Sequence, residues 1–258
     1  MDKILGNQVS EAASLNREEW TEAFGQSLRE LGLECDSKAP ERLSRYHRLL
    51  TEWNGFMNLT ATTEFSSCLQ RHYMDSLAPL AVDGLFPLGA SLIDVGTGAG
   101  FPGLPLAIAR PDLRVTLMDA LQKRLKFLSA VVEALELPNV RLCHARAEDG
   151  GRNPLYREGF DLAVARGVAP LPVLCELLLP FVTVGGKALC YKGPAAKEEW
   201  LAGQAATRTL GGGEMLLYPV ALPREPEWEH CVIALPKITN TLRQYPRKAG
   251  TPERNPLG

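Results

Sequence analysis

No run of about eighteen apolar residues occurs in the chain, so no membrane-spanning helix is predicted. The N-terminus opens Met1-Asp2-Lys3 without the apolar stretch of a secretory leader, and a cytoplasmic protein is expected. Six cysteines are present (Cys35, Cys68, Cys143, Cys175, Cys190 and Cys231), and no two form a C-x-x-C pair. Several sit inside apolar runs, which reads as buried free thiols in a reducing compartment. Histidine is scarce, with His47, His144 and His230 scattered, so no metal site is expected. A charge excess is missing too. The net charge of −2 excludes a polybasic chain, and any basic surface for nucleic acid has to be local. There is no internal repeat and no long low-complexity tract.

What is present fits a globular protein with a substantial core: 258 residues, 45% hydrophobic and 22% charged. Residues 1–15 are polar and weakly patterned and read as a loose arm. Apolar residues at helical spacing then predict three helices over 17–34, 39–54 and 65–80, within an N-terminal helical region over 16–84. A polar, turn-rich link containing Asn54, Gly55 and Asn58 separates the last two. From about residue 85 to 238 short β-prone runs alternate with helical stretches. Strands are predicted at 91–95, 114–119, 140–145, 160–165, 187–192, 215–222 and 230–236. The alternation implies parallel βαβ units, and the short link between the last two strands implies an antiparallel hairpin. The expected fold is α/β and Rossmann-like, with a seven-stranded, mostly parallel sheet. Residues 239–258 read as a basic tail.

The sequence LIDVGTGAGFPG runs from an apolar strand into a loop that enters a helix. Glycines let such a loop turn sharply and approach a ligand, and the carboxyl end of a first parallel strand is where open α/β sheets bind them. Gly98-x-Gly100-x-x-Gly103 formally matches a dinucleotide fingerprint, which keeps an NAD-dependent oxidoreductase open. Pro102 and Pro105 flank Gly103, however, and are expected to delay the helix that such a site needs. The other reading is Gly96-x-Gly98-x-Gly100 preceded by Asp94, a nucleoside loop for S-adenosylmethionine. That cofactor is a cation, so a nearby carboxylate favours it. A purely structural glycine turn is the third possibility. Asp119 ends the second strand and suits a ribose diol, or an N-cap for the helix from Leu121. Ala147 and Glu148 follow the third strand where an adenine would rest, although Glu148 also reads as surface. Arg166 ends the fourth strand and projects towards the crevice, or pairs with Glu176.

The acceptor is narrowed by further absences. No Asn/Asp-Pro-Pro-Tyr sequence grips an exocyclic amine, no Pro-Cys or Thr-Cys supplies a nucleophilic thiol, and Arg166 stands where a hydroxyl methylase has Asp. An acceptor that needs no general base remains, and guanine N7 fits. Catalysis would then be alignment plus electrostatics.

Together WNGFMNLTA, RHYMDSL, LIDVGTGAGFPGLPLAIARPD, MDALQKRLKFL, HARAED, AVARGVAPL, YKG and YPRKAGTPERNPL resemble the bacterial small-subunit ribosomal RNA methyltransferase G family, also called glucose-inhibited division protein B. The resemblance covers about residues 41–257. It implies a class I methyltransferase with cofactor contacts at Gly96, Phe101, Ala147, Glu148 and Arg166, acting on a guanine N7 in 16S ribosomal RNA or the small subunit. The first 40 residues match no motif of the family, and Asn-Pro-Leu replaces a more basic ending. Arg71, His72 and Lys192 are the candidate catalytic set on the acceptor side, each with a plainer reading as surface or core. The basic tail is expected to contact phosphates. A monomer is expected. A non-catalytic RNA-binding assembly protein on the same fold is the remaining alternative.

Overall fold

The computed structural model describes residues 18–222, 224, 225 and 227–258. The expected arm at 1–15 lies outside them. Three N-terminal helical segments come first. Helix α1 covers residues 18–30, and a left-handed Gly32 (φ 68°) ends it earlier than the apolar spacing suggests. Helix α2 (Ala39–Met57) carries Pro40 in its first turn, where no N–H is missed. It runs one turn beyond the predicted end. Asn54 does not stop it; its side chain instead accepts the N–H groups of Leu59 and Thr60 and folds the following link back. Helix α3 (Phe65–Cys68) is capped by Glu64, then widens into a π-helical segment, Leu69–Met74. Helix α4 (Asp75–Leu77) and a 3-10 turn, Ala78–Ala81, complete what the sequence predicts as one regular helix.

The seven strands are β1 (Ser91–Val95), β2 (Arg114–Asp119), β3 (Val140–His144), β4 (Phe160–Arg166), β5 (Val182–Lys192), β6 (Leu216–Val220) and β7 (His230–Pro236). They form one sheet in the order β3-β2-β1-β4-β5-β7-β6. Strands β1 to β5 are parallel, and β7 runs antiparallel between β5 and β6. This is the expected mostly parallel sheet with a terminal hairpin. Strand β5 starts five residues earlier than predicted, because Gly185 and Gly186 read as a break. The sheet tolerates them through an irregular register near Phe160, and at Gly186 a Cβ would lie 2.4 Å from the Asp161 carbonyl.

Both faces are covered, and the strand period of two sorts side chains between them. Leu92, Leu189, Val232 and Ala234 join a core with Phe24, Leu43, Tyr46, Leu50 and Tyr73 of the N-terminal helices. Helices α5 (Gly103–Ala109) and α6 (Gln122–Ala134) pack on that same face. Ile93, Cys190, Ile233 and Leu235 point the other way, towards α8 (Leu171–Leu178) and α9 (Ala196–Thr209). All six cysteines are free; Cys35 is half-buried and the other five are buried, as expected. Among the described residues no helix is long and apolar enough to cross a membrane.

Two expectations are corrected. Pro102 and Pro105 do not delay the helix after the glycine loop: α5 begins at Gly103 itself, since proline is at home in a first turn. A Cβ there would come within 2.5 Å of Leu117 and 2.7 Å of Asp94, so Gly103 docks the helix closely on β1 and β2. Nor are all the cations from Lys237 onward available to phosphates: Arg243, Lys248 and Arg254 are exposed, but two others turn inward. Lys237 is fully buried and donates to the Leu179 carbonyl beside Glu158, and Arg247 forks onto Glu176, itself 0% exposed.

Gly103→Ala is therefore expected to cost about 1–3 kcal/mol through overpacking. Urea unfolding measures it, and an unchanged midpoint would refute so close a docking.

Candidate functional site

The strand order reverses between β1 and β4, and the crevice outside their carboxyl ends is where such sheets take ligands. Two loops border it. One is the glycine loop after β1; the other, Arg166–Pro170, follows β4. They lie close enough that a Cβ on Gly96 would sit 2.9 Å from Val168. Gly96, Gly98 and Gly100 all have positive φ (73°, 62° and 106°), which explains glycine at each.

A cleft of about 330 Å³ opens on one side of the Arg166–Pro170 loop, lined by Gly96, Asp119, Arg124, Ala147, Glu148 and Val168 among others. Asp119 is nearly buried. It caps the approach to α6 by accepting the Leu121 N–H, and it accepts the Gly98 N–H and a half-exposed Arg124 as well. The capping reading and the ligand-facing position thus meet in one residue. Glu148 lies in the first turn of α7 (Ala147–Gly150) and lines the cleft, but one of its oxygens already accepts the Gly250 N–H at 2.7 Å. Three carboxylates (Asp119, Glu148, Glu253) face two guanidiniums (Arg124, Arg146) around this cleft. That balance suits a cationic ligand and opposes a pyrophosphate. This balance, and not the prolines, speaks against a dinucleotide.

Asp94, Gly98, Gly100, Phe101 and Arg166 are not on this lining. Asp94 is 0% exposed and works behind the loop, accepting from the Thr97 hydroxyl and the Gly103 N–H. Its other oxygen has no hydrogen-bond partner, and burial pushes its pKa up to about 6. Gly100 backs the loop against Leu104 and the Tyr46 hydroxyl. Phe101 is buried in an aromatic nest of Tyr46, His72 and Tyr73, with the Arg166 guanidinium 5.0 Å above its ring.

A second pocket, about 550 Å³, lies on the other side of the loop. It gathers Arg71, His72, Arg166 and Lys192, which the sequence nominates from three separate places, with Asp75, Glu199, Trp228 and His230. Asp75 organises it. Its carboxylate accepts from Arg166 (2.9 Å), His230 Nδ1 (2.9 Å) and Trp228 Nε1 (3.2 Å). Burial by itself would raise the Asp75 pKa, but the His230 hydrogen bond and the Arg166 charge overcome this and lower it. Arg166 thus pairs with Asp75 and not with Glu176. It also donates to the carbonyls of Arg71 and His72. Those carbonyls belong to the π-helical segment, and that of His72 also accepts the Asp75 N–H and the Ser76 hydroxyl. Lys192 is nearly buried, donating to the Ala169 carbonyl and to Glu199 at 2.6 Å. His72 Nδ1 faces the Arg71 carbonyl and must donate to it, so Nε2 accepts the Thr60 hydroxyl. Burial, then the Arg166 charge, lower the His72 pKa and keep the ring neutral.

Sequence reasoning missed Asp75 as a hub, along with Trp228 and His230. Asp75 stands four residues after Arg71, on the same side of the helix, which was the available signal. Nothing in the sequence ties the β6–β7 link to it. Arg124 and Arg146 were also missed.

The chain matches the family model described as rRNA small subunit methyltransferase G over residues 39–221. A relative from Leuconostoc citreum named ribosomal RNA small subunit methyltransferase G is 45% identical over 237 residues, covering 92% of this chain and 98% of the relative. One of the same name from Lachnoclostridium phytofermentans is 43% identical, covering 91% and 96%. Among solved structures, a complex of the Haloferax volcanii Trm112 methyltransferase activator with a methyltransferase is similar in fold. Its TM-score is 0.51 at 13% identity, covering 73% of this chain and 97% of that one.

Two outcomes are expected. Asp75→Ala leaves the mostly covered Arg166 without its carboxylate and should cost about 3–5 kcal/mol in urea unfolding; a loss under about 1 kcal/mol would contradict the hub. Asp94 carries the opposite kind of strain. Its folded pKa lies above its ordinary 3.8, so the stability it contributes is present at low pH and is lost as pH rises through about 6. Asp94→Asn should therefore gain on the wild type as pH rises across that window, and a constant difference would refute the shift.

Proposed function

The chain belongs to the rRNA small subunit methyltransferase G family, and from that premise we propose that it transfers a methyl group from S-adenosylmethionine to N7 of a guanine in 16S ribosomal RNA. The carrying observation is the pair of pockets divided by the Arg166–Pro170 loop: Val168, Ala169 and Pro170 line the acidic-leaning cleft, while Arg166 and Gly167 line the other pocket. A cofactor side and an acceptor side meeting across one short loop is the arrangement that direct methyl transfer requires.

The residues of the cleft fit the cofactor. Gly96 has no Cβ, which lets Val168 pack against the loop at the edge of the cleft, and Asp119 offers a carboxylate held by backbone N–H groups. The half-exposed Arg124 on Asp119 is free to give way to a ribose diol. When bound, the cofactor supplies an electrophilic methyl on a sulfonium. Asp94 supports the loop from behind, and Phe101 supports Arg166 and His72 from beneath; both act through the residues they hold.

On the acceptor side both Asp75 oxygens are bonded, one Glu199 oxygen takes Lys192 and the Leu171 N–H, and the neutral His72 uses both ring nitrogens. With Asp75 and His72 so committed, the pocket favours an acceptor with a lone pair and no proton to lose, as guanine N7 has. Arg71, which is half-exposed and only loosely paired with Glu225 at 3.5 Å, is the group free to take an RNA phosphate. Lys192 and Arg166 shape the pocket wall and keep its potential positive. The proposed setting is the cytoplasm, with a monomer acting on 16S RNA or the small subunit.

Two measurements test this. S-adenosylhomocysteine should bind in titration calorimetry far more tightly than NAD; the reverse order would overturn the cofactor. Tritiated methyl should pass to small subunits from a strain lacking the enzyme and appear as 7-methylguanosine after digestion. Label on another atom would overturn the N7 reading, and binding without label would favour an assembly role. Asp119→Ala should weaken S-adenosylhomocysteine about ten- to a hundredfold, the loss of one or two charge-assisted hydrogen bonds.

A further inference from the structure

The C-terminal segment is fastened to the sheet at a series of points that converge on the cofactor cleft. Arg157, on the loop before β4, donates to the carbonyls of Thr241, Leu242 and Tyr245. Arg152 donates to the Pro246 carbonyl, and Gly151 lets Pro246 in so closely that a Cβ there would lie 3.0 Å from it. Arg247 then binds the buried Glu176 of α8 through its guanidinium and its backbone N–H. Glu148 accepts the N–H of Gly250, which takes the left-handed conformation (φ 77°) that turns the chain. Helix α10 (Thr251–Arg254) follows at once. Its Pro252 is buried, and both Pro252 and Glu253 belong to the lining of the cleft.

A tail built to reach RNA would present its cations outward. Here Lys237 and Arg247 are spent inward while Arg243, Lys248 and Arg254 stay exposed, and what arrives at the cleft is an apolar ring and a carboxylate. Glu148, moreover, has one oxygen committed to holding this segment.

We infer that residues 245–255 form a wall of the cofactor cleft, with Glu148 as its anchor, so that cofactor affinity depends on the docked C-terminal segment. This rests on the cofactor reading above and adds residues to it. Because a cofactor that touches the docked segment must stabilise that docking to the same degree, the two are reciprocally linked.

The experiment uses the full-length chain, a chain ending at Ala249, and Pro252→Gly. Affinity for S-adenosylhomocysteine is measured by calorimetry, and affinity for small subunits by filter binding. Both variants should bind S-adenosylhomocysteine at least about tenfold more weakly, within the ordinary range of site–site coupling, while binding small subunits within about twofold of the full chain. In the full chain, saturating S-adenosylhomocysteine should slow hydrogen exchange across residues 247–255. That readout needs no variant to fold. Variants that keep full cofactor affinity, or exchange that the ligand leaves unchanged, overturn the inference while the cofactor reading stands. Loss of subunit binding with cofactor binding intact would make the segment an RNA contact. A full-length chain that fails to bind S-adenosylhomocysteine overturns both readings.

Discussion

A buried carboxylate has to be answered from every side, and Asp75 imposes that demand on two distant parts of the chain. Leaving such a charge unpaired in the interior costs several kcal/mol, so its partners are not optional. Arg166 comes from the end of β4, His230 from the start of β7, and Trp228 from the link before it. The N-terminal helices are thereby tied to the sheet on the acceptor side of the crevice. Arg166, once fixed, settles the loop that follows it. Tyr191 adds a further tie through the Ser76 carbonyl. The shape of the acceptor pocket is thus largely the consequence of neutralising one side chain.

The two pockets differ in how their charges are used. Around the cofactor cleft carboxylates outnumber guanidiniums, and the exposed Arg124 is loosely placed. Around the acceptor pocket nearly every charge is locked into a pair or a carbonyl, with Arg71 the least constrained. Fixed dipoles and charges need not reorganise during a reaction, which is the physical advantage of a pocket already tied down. A displacement that creates a cation on a purine gains from pre-set surroundings more than from a proton acceptor.

Much of this was legible in the sequence because strand patterns are local. Ser91–Val95, Arg114–Asp119 and His230–Pro236 coincide with their predicted ranges, since β-branched and apolar runs bounded by turn residues leave little freedom. The glycine loop was legible for the same reason. Long-range pairing was not. Glu176 and Arg247 are far apart in sequence, and only the fold makes them partners. The inward turn of the C-terminal segment depends on Arg157 and Glu148, which offer no local sign of it. The start of α5 is not legible from its prolines, which break a helix interior but sit easily in a first turn. The type and place of Asp94 suit a cofactor ligand. Its burial, which no single-sequence pattern reports, puts it behind the loop.

The π-helical segment Leu69–Met74 has a consequence for how this chain tolerates change in length. A π turn is an α-helix holding one surplus residue. Excising that surplus would let the turn relax to regular α geometry while the helix on either side keeps its phase, whereas an excision from a regular helix rotates everything after it by about 100°. Asp75 would stay on its line to Arg166, and the loss would fall on the turn itself. The residue count of this segment therefore has slack, but its side chains do not: Tyr73 and Met74 are buried, and Arg71 and His72 line the acceptor pocket.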